Sequence, residues 1–226
     1  MKTAPKRYPN KILQAPMRGV CQKLQDMDID MTHFRALEFF AREGDWQTVS
    51  YAGKVASLDA WEINPECEVA LKRNLPNAKI RIGDSYEFAK LPEFAHQFDF
   101  IVFDNPQLTF GKKNEYCEHF EALEMIPFLL KNRGIVVFNV NTSPYDYEKH
   151  PEWQRRRKTF YKTDATEKLS LDFLEKFYAQ YFRAKNFRPE FIFFEPRHEG
   201  MVYYCIAELI QQKLIRKKEG SAILGA

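Results

Sequence analysis

Four carboxylates in this sequence each close a short apolar stretch: Glu38, Glu62, Asp84 and Asp104. In an open α/β sheet, ligands bind outside the carboxyl ends of the strands, where the strand order reverses. Acids at such ends can accept hydrogen bonds from a polar ligand. Glu62 stands roughly 20 residues beyond the turn at Gly44, a separation at which an acid reaches both hydroxyls of a bound ribose. Its other reading is a cap for the helix that opens at Asn64-Pro65-Glu66. Asp84 in Gly83-Asp84-Ser85 can also cap a following helix.

A second group of residues lies between 141 and 166. Arg155, Arg156, Arg157, Lys158 and Lys162 alternate there with Tyr145, Tyr147, Trp153, Phe160 and Tyr161. Cations neutralise phosphates and rings stack on unpaired bases, so this mixture suits RNA or DNA. It equally suits a solvated excursion whose rings pack on the domain. Basic residues at the termini (Lys2, Lys6, Arg7 and Lys11; Lys213, Arg216, Lys217 and Lys218) would extend a basic surface. The histidines, at 33, 96, 119, 150 and 198, have no ligand spacing, and no metal is expected.

These groups need elements to hold them. Apolar runs at Ala36–Phe40, Val55–Trp61, Lys79–Ile82, Phe98–Phe103 and Gly134–Val140 are short and rich in β-branched and aromatic residues, as buried parallel strands are. Helical patterns separate them: one opens at Asn64, and another spans Tyr116 to Lys131 with Phe120, Leu123, Ile126 and Leu130 on one face. A helix at about Leu169 to Ala184 precedes two more strands, Glu190–Glu195 and Met201–Leu209. Their connection, Pro196-Arg197-His198-Glu199-Gly200, is short enough for an antiparallel hairpin. The expected fold is a Rossmann-like three-layer αβα sandwich, its mostly parallel seven-stranded sheet ending in that hairpin. The expected division is a basic arm and short helix over 1–30, the domain over 31–210 and a tail over 211–226.

The chain has 226 residues, of which 45% are hydrophobic and 15% aromatic, which excludes a disordered chain. Its 34 Lys and Arg against 31 Asp and Glu leave +3, too little to indicate a polyanionic partner by net charge alone. The four cysteines form no CxxC pair and suggest free thiols in a reducing compartment. No apolar run approaches the roughly 20 residues of a membrane span, and no signal-peptide core follows the basic start. A soluble, cytoplasmic protein is expected.

The strand ends resemble the class I S-adenosylmethionine-dependent methyltransferases over about Ala36 to Leu209. Glu38, Phe40, Ala41 and Gly44 match an acid followed by a Phe-Ala-Gly-x-Gly turn, with Arg42 where the middle glycine is expected. The resemblance implies that Glu62 holds the ribose, Ile63 packs on adenine, and Asp84 with Ser85 recognises the adenine amino group. Asp104-Asn105-Pro106-Gln107 is similar to the methyl-transfer loop of amino-group methyltransferases, in which Asp104 borders the cofactor and Asp104 and Asn105 would orient the acceptor. Gln107 replaces the stacking aromatic of that loop, and Phe110 is the substitute. Pro106, Gln107, Phe110, Trp153, Arg155, Arg156 and Arg157 are the candidate substrate contacts.

The resemblance implies a methyltransferase using S-adenosylmethionine, with nucleic acid the favoured acceptor. The competing reading is a non-catalytic module of the same fold that binds nucleic acid or a protein, suggested by Arg42 and Gln107. A nicotinamide oxidoreductase is disfavoured because no GxGxxG follows the first strand. An aminopropyltransferase is disfavoured for want of its glycine-rich turn.

Overall fold

A computed structural model describes residues 15–198 and 200–212. The basic residues singled out at both termini lie outside them. Seven strands form the main sheet: β1 (Arg35–Glu38), β2 (Ser57–Glu62), β3 (Lys79–Ile82), β4 (Phe98–Phe103), β7 (Leu130–Asn141), β8 (Phe187–His198) and β9 (Val202–Gln211). A separate two-stranded hairpin comprises β5 (Thr109–Phe110) and β6 (Tyr116–Cys117). The main sheet runs β3-β2-β1-β4-β7-β9-β8. The pairs β2–β3, β1–β2, β1–β4 and β4–β7 are parallel, whereas β9 is antiparallel to both β7 and β8. The strand order therefore reverses between β1 and β4, beneath two of the four acids.

Side-chain alternation divides the core into two layers. Leu37, Ile101, Phe103, Val136, Phe138, Cys205 and Ala207 point to one face. There they meet α4 (Phe120–Leu123), α5 (Ile126–Leu129), α6 (Pro151–Tyr161) and α7 (Leu171–Ala184). Ala36, Phe100, Val102, Ile135, Val137, Tyr204 and Ile206 point to the other face and pack against α1 (Ala15–Asp26) and α2 (Glu68–Asn74). Met17, Val20, Cys21 and Leu24 of α1 are buried in that layer.

The segment expected as one helix from Tyr116 to Lys131 is broken. It contains β6, the short helices α4 and α5, and the first residues of β7. Two features interrupt it: Glu118 has φ 48°, outside the helical region, and Pro127, second residue of α5, has no N–H to donate backward. The apolar face is nevertheless correct, since Phe120, Leu123, Ile126 and Leu130 are all buried. Gly134 lies within β7 rather than after a helix, and a Cβ there would come within 2.7 Å of the Asp99 carbonyl oxygen.

Candidate functional site

A cleft of about 720 Å³ opens at the carboxyl ends of β1, β2 and β4 and at the loop after β3. Phe40, Arg42, Glu62, Ile63, Asp84 and Ser85 line one part of it. Asp104, Asn105, Pro106, Gln107, Phe110 and Lys112 line another, with Tyr86, Tyr116 and Arg197 completing the walls. Most of the proposed cofactor-contacting residues are thus brought together.

Glu62 is buried at the end of β2, and each carboxylate oxygen takes one backbone N–H. Oε2 accepts from Arg42 at 2.7 Å and Oε1 from Asn64 at 2.8 Å. Each oxygen retains acceptor capacity, because a carboxylate offers about four lone-pair sites. The Asn64 side chain, not Glu62, caps the next turn by accepting from the Glu66 N–H at 3.0 Å. Ile63 is 64% exposed in the same cleft. Asp84 does cap α3 (Ser85–Phe88), accepting from the Tyr86 N–H at 2.8 Å through Oδ1. The Ser85 hydroxyl donates to the Phe39 carbonyl at 2.6 Å, so it serves the fold internally.

The turn after β1 shows how the missing glycine is accommodated. Arg42 has φ 51°, the left-handed conformation that favours glycine, and its guanidinium has no ion pair among the described residues. Gly44, with φ 68°, is pressed against Leu71 and Leu75, where a Cβ would stand 2.7 Å from Leu75 Cδ1. Gly44 and Ala41 therefore shape the turn from behind and do not line the cleft. Glu38 is also wholly buried. Tyr51 and Thr48 hydroxyls donate to its Oε2 at 2.6 and 3.0 Å, and Gln47 Nε2 approaches Oε1 at 3.4 Å. Burial, assisted by the nearby Asp104 charge, pushes the Glu38 carboxyl up to about 8, so it holds its proton at neutral pH.

At the end of β4, Asn105 departs from expectation. Its Oδ1 accepts the Asn139 N–H at 2.9 Å and its Nδ2 donates to the Asn139 carbonyl at 3.2 Å. This amide ties the loop to β7 and is not free to orient an acceptor. Gln107 Nε2 donates to the Asn105 carbonyl at 3.1 Å, bracing the same loop. Asp104 is held by Asn139 Nδ2 and by Arg197 Nη2, each 2.9 Å from its Oδ1. Arg197, near the tip of the β8–β9 hairpin, was not singled out from sequence. A cation within a turn-like Pro-Arg-His-Glu-Gly stretch gives no signal of a contact with β4.

The β5–β6 hairpin forms an aromatic wall. Tyr116 stacks on Tyr86 with ring centroids 3.9 Å apart, and Phe110 lies 5.4 Å from Tyr116 and 5.9 Å from Phe40. Arg156 anchors the hairpin's turn, donating to the Asn114 and Glu115 carbonyls at 3.0 and 2.8 Å while pairing with Glu121.

The basic and aromatic residues of the insertion are sorted by α6. Trp153, Arg157 and Tyr161 recur every fourth residue on its inner face and are buried. Glu118 Oε1 receives Arg157 Nη1 at 2.5 Å and Trp153 Nε1 at 2.7 Å. Arg157 Nη2 also donates to the Asn141 carbonyl at 2.8 Å. The expectation that Trp153 and Arg157 present a stacking ring and a phosphate contact is thereby corrected, because neither reaches solvent. Arg156 is engaged with the hairpin, and Arg155 is exposed and paired with Glu152. Beside this cluster, burial pushes the imidazole of His119 well below its ordinary range, and the Arg157 charge adds to the effect. Among the described residues, no three His, Cys, Asp or Glu side chains are grouped as a metal site, and no helix is long and apolar enough to cross a membrane.

The sequence matches no family profile, and no curated protein matches it. Solved structures do resemble it. Trm1 from Pyrococcus horikoshii, in complex with S-adenosyl-L-methionine, has a TM-score of 0.59 at 15% identity, covering 92% of this chain and 57% of its own. This chain therefore spans little more than half of that protein. A provisionally assigned methylase from Haemophilus influenzae has a TM-score of 0.52 at 14% identity, over 87% of this chain and 100% of its own. A provisionally assigned methyltransferase from Escherichia coli has a TM-score of 0.51 at 12% identity, over 86% of each chain. Strand order, the inserted antiparallel β9 and these likenesses agree: the chain has the class I S-adenosylmethionine-dependent methyltransferase fold.

Proposed function

We propose that this chain is an S-adenosylmethionine-dependent methyltransferase. The observation that carries the reading is the convergence of Glu62, Asp84 and Asp104, from three different strand ends, on one cleft. The donor set fits a nucleoside. Glu62 would accept both ribose hydroxyls with the lone pairs that Arg42 and Asn64 leave. The exposed Ile63 would cover one face of the adenine. Asp84 Oδ2, which has no partner among the described residues, would accept from the adenine amino group.

When bound, S-adenosylmethionine supplies an already activated sulfonium methyl. The protein's task is then alignment rather than bond-making. The Phe110–Tyr116 wall would exclude water and give the acceptor a flat apolar face. Asp104, fixed by Asn139, would position the acceptor. Asn105 acts through the loop, as a positioning residue.

The acceptor class we favour is nucleic acid. Lys112 lines the cleft, and Arg156 links α6 to the same hairpin turn, so the exposed Arg155, Lys158 and Lys162 stand on an element joined to the cleft wall. The non-catalytic alternative draws on the Asn105 amide being taken up by Asn139. Incubation with methyl-labelled S-adenosylmethionine and separate RNA, DNA and small-metabolite fractions tests the proposal. Label is expected in a nucleic acid fraction. Cofactor binding without label in any fraction would favour the non-catalytic module.

A further inference from the structure

The hairpin of β5 and β6 lies outside the main sheet, and two residue pairs join its strands: Thr109 with Cys117 and Phe110 with Tyr116. A two-stranded hairpin of that size is marginal in water by itself, so its position must come from what it packs against. Its inner side contributes Phe110, Gly111, Lys112 and Tyr116 to the cleft. There it rests on ring contacts with Phe40 and Tyr86.

The directional contacts are on the outer side, and they come from two consecutive arginines of α6. Arg156 Nη1 donates to the carbonyls of Asn114 and Glu115 at 3.0 and 2.8 Å, and its Nη2 donates to Glu121. Glu121, in α4, is itself tied to the hairpin, because its Oε2 accepts the Cys117 N–H at 2.8 Å. One guanidinium thus grips the turn directly and the end of β6 through Glu121. An ammonium carries the same charge but lacks the planar fork that spans acceptors on two elements. Arg157 holds the other end. It pairs with Glu118, whose N–H donates to the Leu108 carbonyl at 3.1 Å and closes the base of the hairpin. With the base fixed by Arg157, releasing Arg156 would let the turn swing while the strands stay paired.

We propose that Arg156 is the catch of this wall, a positioning residue that sets how closely the hairpin closes on a ligand in the cleft. Which ligand fills the cleft rests on the functional reading above. Arg156 does not line the cleft, so its effect on affinity passes through the hairpin.

Hydrogen exchange on the full chain, read by mass spectrometry, tests the catch, and calorimetry tests its effect on a ligand. The amides of Lys113, Cys117 and Glu118 are hydrogen-bonded and report on the hairpin. In Arg156→Met, exchange across 109–118 should accelerate about tenfold or more, since losing a charge-assisted hydrogen bond shifts an opening equilibrium by about that factor. Exchange across β7 and β9 should stay within about twofold, which shows that the variant folds. Arg156→Lys should fall between Arg156→Met and the wild type. S-adenosylhomocysteine should slow exchange of the wild-type hairpin and bind Arg156→Met about threefold to tenfold more weakly, with Arg156→Lys again intermediate. An unchanged hairpin in Arg156→Met would overturn the proposal, as would acceleration spread equally over β7 and β9 or a loosened hairpin with unaltered affinity. Failure of the wild type to bind S-adenosylhomocysteine would remove the methyltransferase reading instead. Faster exchange confined to 109–118 would then still support the catch, and an unchanged hairpin would still overturn it.

Discussion

Glu62 Oε2 accepts the backbone N–H of Arg42 at 2.7 Å, so the acid at the end of β2 fixes the turn that follows β1. One carboxylate thus shapes the floor of the cleft and faces the place assigned to the ribose. Glu62→Ala should abolish measurable S-adenosylhomocysteine binding or weaken it severely, since two charge-assisted hydrogen bonds are worth about 1.5–3 kcal/mol each before competition from water. Glu66 is exposed and does not line the cleft, and Glu66→Ala should leave affinity unchanged. Equal effects in a calorimetric titration would mean that the ribose acid is misassigned.

Arg42 stands in for a glycine at φ 51°. Left-handed backbone costs a non-glycine residue roughly 1–2 kcal/mol, while glycine loses about 0.5–1 kcal/mol more in unfolded-state entropy. Arg42→Gly should therefore raise stability by at most about 1.5 kcal/mol in urea denaturation and change cofactor affinity by less than about threefold. A large gain in affinity would show that the Arg42 side chain obstructs the cleft.

Arg157 and Glu118 form a fully buried ion pair with α6 on one side and the β6–α4 connection on the other. Removing one partner strands the other charge, so Arg157→Ala should destabilise the fold by about 3–5 kcal/mol. Arg155→Ala, at an exposed pair, should stay within about 0.5 kcal/mol. Consequently Arg155 and Lys158, not Arg157, are the substitutions for testing nucleic acid contacts. Similar denaturation midpoints for the Arg157→Ala and Arg155→Ala variants would contradict the buried pairing.

Glu38 gives a pH signature. Its carboxyl titrates at about 8 when folded against an ordinary value of 4.5. The folded state therefore retains a proton that the unfolded chain loses, and the stability this confers is full below about pH 4.5 and is lost as pH rises toward 8. Relative to Glu38→Gln, which cannot ionise, the wild type should lose stability at up to about 1.4 kcal/mol per pH unit across that window. Parallel stability curves for the two proteins would rule out the raised value.

The sequence disclosed the sheet well because each parallel strand is a short apolar run between helical patterns, and it disclosed the strand-end acids because they interrupt those runs. Glu62, Asp84 and Asp104 all proved to line the cleft. What it hid were groups whose positions depend on distant parts of the chain. Arg197 reaches Asp104 from 93 positions away. Glu118 is buried only because α6 brings Arg157 and Trp153 to it. Read as composition, the stretch from Trp153 to Tyr161 suggests a surface for nucleic acid. Read with a spacing of four, it yields Trp153, Arg157 and Tyr161 as one inward stripe. The break at Glu118 had no local cue: the residue has left-handed backbone, and its side-chain partner, Arg157, lies on a different element.

If the cleft above β1, β2 and β4 holds an adenosyl cofactor, the protein must bind its demethylated form. Isothermal titration of the full chain with S-adenosylhomocysteine tests it most directly. Saturable binding in the micromolar range, about −8 kcal/mol, is expected for the wild type, lost in Glu62→Ala and kept in Glu66→Ala. No heat of binding at millimolar ligand, with the protein folded, would contradict it.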